Sequence, residues 1–419
     1  MPRPPPIALL LAATLLTASN TILGEQVSDQ LQFSPRLTEP RVAPIGTQGR
    51  TPLQEQMLAS RPDFNIYKTL AHDPELYARW SGLGQYLLNG STLPPRDREI
   101  IILRMGWLCQ APYEWSQHAR IAKSGGLLGD AEIRAIAQGP GAKLWSPFER
   151  TLLQMVDELH YQSGIADRSW SELAARYSIE QRIDAIYTAG QYQLVSMALN
   201  SLGVQLDPEL RERLPADITA PAVAGLPTTP RLRSPRLAPL TLEAMSAEQR
   251  ALVAPQTRDG KIPNLYATMV THTRFYEPRW RFGSYILRDS RVPARAREML
   301  ILRTAWNSRT EYEWAHHVPI ARQAGLSEAE IARIAQGPMA TGWNEEERAL
   351  LAATDELHRE AFLSAATWSE LARHYDTPQM IEIIYTVGGY AMTALAINSL
   401  GIQLEAGFPA MPTHGSMTR

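Results

Sequence analysis

The sequence predicts an all-α protein built from two tandem helical domains. Three observations carry that prediction: a long segment occurs twice, the apolar residues of both copies recur at three- and four-residue spacing, and strictly alternating stretches are absent. PPRDREIIILRMGWLCQAPYEWSQHARIAKSGG returns as PARAREMLILRTAWNSRTEYEWAHHVPIARQAG, which sets Glu99 over Glu298, Glu114 over Glu313 and His118 over His317 at one constant offset. IRAIAQGP and IARIAQGP, VDELH and TDELH, IYTAGQY and IYTVGGY, and ALNSLGVQL and AINSLGIQL continue the match at an offset one residue shorter. The extra residue of the first copy is expected in Gly125-Gly126. Upstream, RVAP at Arg41 answers RLAP at Arg236, and FNIY at Phe64 answers PNLY at Pro263.

Taken in chain order, residues 1–24 have a basic start, an apolar run from Ile7 to Leu16 and small or polar residues after it, the pattern of a secretory signal peptide cut near Ala18-Ser19 or after Gly24. The run is shorter than the roughly 20 residues that span a bilayer, and no later stretch is expected to be long and apolar enough to do so. The mature chain is therefore expected to be secreted or periplasmic, without a membrane partner. Residues 25–60 are rich in Pro, Gln and Ser and read as an extended surface segment. Residues 61–207 form the first helical domain. Residues 208–260, punctuated from Pro208 to Pro239, form a linker that cannot be helical throughout. Residues 261–406 are the second domain and 407–419 a tail. Each domain reads as six or seven helices, with ends marked by Pro94-Pro95, by Gly139 and Gly337, and by Ser146-Pro147.

Composition narrows the function. The chain has 419 residues, 44% of them hydrophobic, so a sizeable core is possible. Its 41 Lys+Arg against 43 Asp+Glu, without a basic run, exclude a nucleic-acid partner of the usual kind. The single cysteine, Cys109, excludes an internal disulfide, a CxxC redox pair and a Cys-based zinc or iron–sulfur site. Cys109 has no thiol counterpart in the second copy, where Ser308 stands.

The residues that can carry chemistry converge on one helix. Pro112 suits a first helical position, and Thr310 with Glu313 has capping-box spacing, so both YEW motifs are placed on a first helical turn. His118 and His317 follow the glutamates by four residues and share their face. Glu99 and Glu298, on the preceding helix, are expected to fold back to the same point. Helix-end N–H groups favour the anion of Glu114 and Glu313, which read as base or orienting groups. Glu99 and Glu298 precede apolar runs and read as partly buried acids, with the histidines as proton shuttles. Tyr113, Trp115, Tyr312, Trp314 and His316 are the candidate substrate-binding wall. The bland alternatives are that Glu313 only caps its helix, that the histidines are structural and that the tryptophans are core. The DELH segments could form half a metal site, but packing and polar bonding is the reading preferred, and no metal is assigned. The copies also differ: His316 precedes His317 in the second alone, and Gly389 stands where the first has Gln191.

R-E-x-x-I-L-R, Y-E-W-x-x-H, the A-G-L turn and the N-S-L-G end together resemble the carboxymuconolactone decarboxylase family, whose members share the alkylhydroperoxidase D-like helical fold. The resemblance covers roughly 62–206 and 261–404. The peroxidase branch of that superfamily carries Glu, eleven residues, then Cys-x-x-Cys-x-x-x-His. Here the cysteine positions hold Ala111 and Glu114, or Thr310 and Glu313, so the resemblance points away from thiol peroxidase chemistry. It implies a cofactor-independent lyase or isomerase that moves protons on a small carboxylated lactone or unsaturated compound. The competing implication is a non-catalytic small-molecule-binding or scaffold protein of the same fold. The family's ring-like assemblies imply a homo-oligomer, a trimer of tandem chains giving a hexamer-like ring.

Overall fold

A computed structural model describes residues 36–219 and 231–412, and every described α-helix has a counterpart in the other copy. The signal peptide expected at 1–24 lies outside the described residues, as do parts of the expected N-terminal segment, linker and tail.

Each copy opens on a short helix, α1 (Pro52–Ala59), whose counterpart in the second copy is α10 (Ala247–Val253). Both are closed by a capping box, Thr51 with Gln54 and Ser246 with Gln249. The first copy continues through α2 (Asn65–Leu70), α3 (Pro74–Gln85), α4 (Pro95–Leu108), α5 (Pro112–Ser124), α6 (Asp130–Gln138), α7 (Pro147–Gln162), α8 (Asp167–Ala174) and α9 (Ile179–Leu202). The second repeats it as α11 (Asn264–Met269), α12 (Thr273–Ser284), α13 (Ala294–Asn307), α14 (Glu311–Gln323), α15 (Glu328–Gln336), α16 (Glu345–Glu360), α17 (Ala365–Leu371) and α18 (Thr377–Leu400). This exceeds the six or seven helices expected, because α2, α8 and their counterparts are too short to show a period. In both copies a π-helical turn, Tyr86–Gly90 or Tyr285–Asp289, extends the third helix.

The extra residue of the first copy is not at Gly125-Gly126. Leu127 N–H donates to Ala122 O as Leu326 N–H does to Ala321 O, so the two turns match through the leucine. The next helices start from Gly129 and Ser327, one position apart in register. The insertion is therefore at Leu127-Leu128, where the first chain needs one more step to reach its helix.

The two copies interlock about a pseudo-twofold axis. Helices α9 and α18 cross at Gly190 and Gly388; a Cβ on Gly190 would lie 2.7 Å from Met392 Cγ, and one on Gly388 2.7 Å from Leu194 Cγ. Only hydrogen at these positions permits so close an approach. The N-S-L-G asparagines tie the copies together: Asn200 Nδ2 donates to Cys109 O at 3.0 Å and to Ala361 O at 3.1 Å, and Asn398 Nδ2 donates to Ser308 O at 3.0 Å and Ser163 O at 2.8 Å. Arg41 and Arg236 repeat the exchange, each donating to one carbonyl of its own copy and one of the other, Leu363 O and Ile165 O respectively.

Helix α18 corrects one expectation. By length and composition it could cross a membrane, but its side chains are almost all buried. It is the central core helix of the second copy, apolar all round because α9, α13 and α16 surround it.

Candidate active site

The turn between α4 and α5 positions the site. Gln110 adopts φ 48° and Arg309 φ 51°, reversing the chain so that α5 and α14 pack back along α4 and α13. Glu99 then meets His118, with Nδ1 2.8 Å from Glu99 Oε2, and Glu298 meets His317 at 2.7 Å. Glu99 and Glu298 are fully enclosed, beyond the partial burial expected. Neither lines a cavity, because the imidazole stands between it and the open space. Their placement is thus behind the histidine, and the role of a direct general acid expected from sequence does not fit it.

The glutamates on the first turn of α5 and α14 do face the cavities, and here the copies diverge. His118 Nε2 lies 3.0 Å from Glu114 Oε1, so this imidazole is gripped at both nitrogens. Burial opposes its charge, but the Glu99 and Glu114 carboxylates outweigh burial and hold it up at about 9. In the second copy both oxygens of Glu313 are buried without a partner. Burial pushes this carboxyl well above the usual carboxylate range, with Arg279 pulling the other way. The anion-stabilising effect expected from the helix start is overridden at Glu313 by desolvation. The expected Thr310 cap is also absent: Thr310 makes no side-chain cap bond, and its hydroxyl donates to Ser308 O at 3.4 Å.

A cavity of about 180 Å³ opens on Glu313, His316 and His317, and one of about 280 Å³ on Glu114 and His118. Tyr113 and Tyr312 line their cavities, but their hydroxyls are tied to the following segment of their own copy, Tyr113 donating to Asp207 at 2.5 Å and Tyr312 to Glu405 at 3.1 Å. His316 stacks on Tyr312 at 4.3 Å and lies 2.8 Å from Glu405. Trp115 and Trp314 line neither cavity. They are buried in the helical core, Trp314 against Trp306 at 6.0 Å, because their side chains leave the helix on the face away from the glutamate and histidine.

Sequence reasoning missed the far wall. Tyr192 and Tyr390 set their rings edge-on to His118 and His317 at 4.8 and 4.9 Å. Both close the repeated IYTxGxY segment, a signal that was present without a reason to place it here. Trp80, Gln191 and Arg279 are further lining residues, and Tyr187 reaches the second cavity from the first copy.

The other sequence candidates fall elsewhere. Cys109 is buried, and desolvation pushes its thiol up to about 12, far from a reactive thiolate. The DELH aspartates bind arginines: Asp157 accepts from Arg104 at 2.7 and 3.0 Å, and Asp355 from Arg303 at 2.6 and 2.8 Å. Gly139 and Gly337, at φ 85° and 90°, let those guanidiniums approach; a Cβ on either would lie 2.7 Å from the guanidinium. The same arginines donate to the last carbonyls of α6 and α15.

The model of the carboxymuconolactone decarboxylase family matches this chain twice, over residues 74–156 and 273–356. Each match runs from α3 or α12 into α7 or α16 and includes the Glu–Glu–His set. No curated protein matches the chain.

Proposed function

From the premise that the chain is a tandem pair of carboxymuconolactone decarboxylase family domains, we propose that it is a cofactor-independent lyase or isomerase acting on a small lactone or unsaturated acid. The observation that carries this reading is the second cavity, which a buried carboxyl and an imidazole line together. His317 Nδ1 is held by Glu298, which fixes the ring and leaves Nε2 toward the cavity, without a protein partner among the described residues. That nitrogen takes a proton from a carbon activated by an adjacent carbonyl, and the Glu298 carboxylate stabilises the imidazolium that forms. Glu313, kept protonated by burial, returns a proton at the other end of the conjugated system. The double bond moves; in the lyase variant the bond from carbon to a carboxylate breaks instead, carbon dioxide leaves, the electron pair stays with the conjugated system, and Glu313 protonates the carbanion.

One observation favours the binding-protein reading for the first copy. There Glu114 and His118 engage each other, so neither is free for a substrate until that contact opens. Export of the chain and its assembly as a trimer are parts of the same reading, tested by N-terminal sequencing of the mature protein and by light scattering.

The function is tested by incubating the protein in deuterium oxide with a panel of small dienoate and lactone acids. Mass spectrometry is expected to show carbon-bound deuterium, with or without loss of carbon dioxide. Recovery of every compound unchanged would contradict the proposal.

A further inference from the structure

The two cavities differ at one inner corner. In the first copy Trp80 occupies it, its Nε1 donating to Gln191 Oε1 at 3.2 Å. In the second copy the corresponding residues are Arg279 and Gly389, so a guanidinium replaces the indole and the amide side chain is gone. Arg279 donates to Thr393 Oγ1, lies over the Tyr187 ring at 5.9 Å, and keeps its Nε buried without a partner.

Glu313 lines the same cavity at 4% exposure, with both carboxyl oxygens unpartnered. A cavity lined by Phe275, Phe282 and Ile286 is thus also lined by one guanidinium and one orphan carboxyl. A guanidinium donates in a fork that matches a carboxylate. The first cavity also has arginines: Arg61 lies over Tyr67 and Tyr77 with its Nε likewise buried without a partner, and Arg120 lies over Phe64 and donates to Gln117, but neither takes the position of Arg279. Its inner corner is Trp80 and Gln191.

We propose that the second cavity is a monocarboxylate-binding site in which Arg279 anchors the ligand's carboxylate and the apolar wall takes an unsaturated hydrocarbon tail, with Glu313 left to face that tail. The assignment deepens the functional reading above, on which the choice of an unsaturated acid rests. It also separates the copies: the anchor belongs to the second alone.

The test is calorimetric titration of the full chain with sorbate, a six-carbon dienoate, and with its neutral amide. Wild type is expected to bind sorbate saturably and the amide at least tenfold more weakly. Arg279→Gln is expected to weaken one sorbate site per chain at least tenfold, about 1.4 kcal/mol, whereas Glu313→Gln, which leaves Arg279 in place, is expected to retain it. Arg279→Lys preserves the charge and checks the result should the glutamine variant fold poorly; its affinity is expected between the two. An Arg279→Gln isotherm that superimposes on wild type, equal affinity for acid and amide, or no saturable sorbate binding would overturn the proposal. Binding requires no turnover. Arg279-dependent binding without deuterium uptake would therefore remove the catalytic reading and leave this one, and uptake with Arg279-independent binding would do the reverse.

Discussion

His118 Nε2 lies 3.0 Å from the carboxylate of Glu114, and the equivalent histidine and glutamate of the second copy make no such contact. One difference between the copies at this point lies on the neighbouring helix. A Cβ on Gly106 would lie 3.3 Å from Glu114 Cγ, tight enough that this side chain must give by a few tenths of an ångström. The second copy has that Cβ, as Ala305. That methyl is one difference between the closed Glu–His–Glu arrangement and the open one, alongside Arg279 and Gly389 where the first copy has Trp80 and Gln191.

The first prediction follows directly. Gly106→Ala should move Glu114 away from His118 and lower the imidazole from about 9 toward its ordinary value. Titration of the histidine ring followed by NMR reads the shift; an unchanged midpoint would show that the glycine does not control the contact.

The same contrast predicts unequal costs for one substitution. Glu114→Gln removes the charged partner of an imidazolium and should cost about 1.5–3 kcal/mol of stability at pH 7. Glu313→Gln replaces a carboxyl that burial already keeps neutral, so the denaturant midpoint should stay close to wild type.

Stability should depend on pH on both sides, for separate reasons. Burial, helped by their mutual proximity and nearby arginines, drives His160 down to about 3, and burial drives His358 down to about 4. The unfolded chain therefore binds protons that the native chain refuses, and stability falls as pH drops below about 6.5. Burial and the facing Glu382 carboxylate push Asp73 up to about 7, against the Leu76 N–H and Arg291. The native chain keeps a proton that the unfolded chain releases, so this term is lost as pH rises from about 4 through about 7. Melting curves of a His160→Gln/His358→Gln double variant should flatten the acid limb, and those of Asp73→Asn the opposing one.

The crossing of α9 and α18 predicts a packing penalty. Gly190→Ala places a methyl against Met392 where both side chain and backbone are close, and should cost about 1–3 kcal/mol. Loss of stability without loss of helix content, by circular dichroism, is the expected signature.

Much of this arrangement was legible because the duplication acts as an internal comparison. Glu99, Glu114 and His118 stood out because each recurs with its neighbours, and the reversed turn at Gln110 needed only a short connection. What stayed hidden depends on tertiary contacts. Tyr192 and Trp80 are far from the motif in sequence, and the position on α3 or α12 that holds Trp80 or Arg279 lies outside any repeated motif. Trp115 looked like a ligand wall because it adjoins Glu114, yet adjacent helical residues point to different faces. The burial that neutralises Glu313 arises from the whole cavity, whereas the sequence offered only the helix start, which argues the opposite charge. The DELH aspartates gave no hint of Arg104 and Arg303, which reach them from another helix.

The central claim, proton transfer by the second-copy imidazole, is tested most directly by measuring carbon-bound deuterium uptake for wild type, His317→Gln and His118→Gln under identical conditions. The account predicts uptake by wild type and by His118→Gln, and its loss in His317→Gln at unchanged melting temperature. Uptake by His317→Gln at the wild-type rate would contradict it.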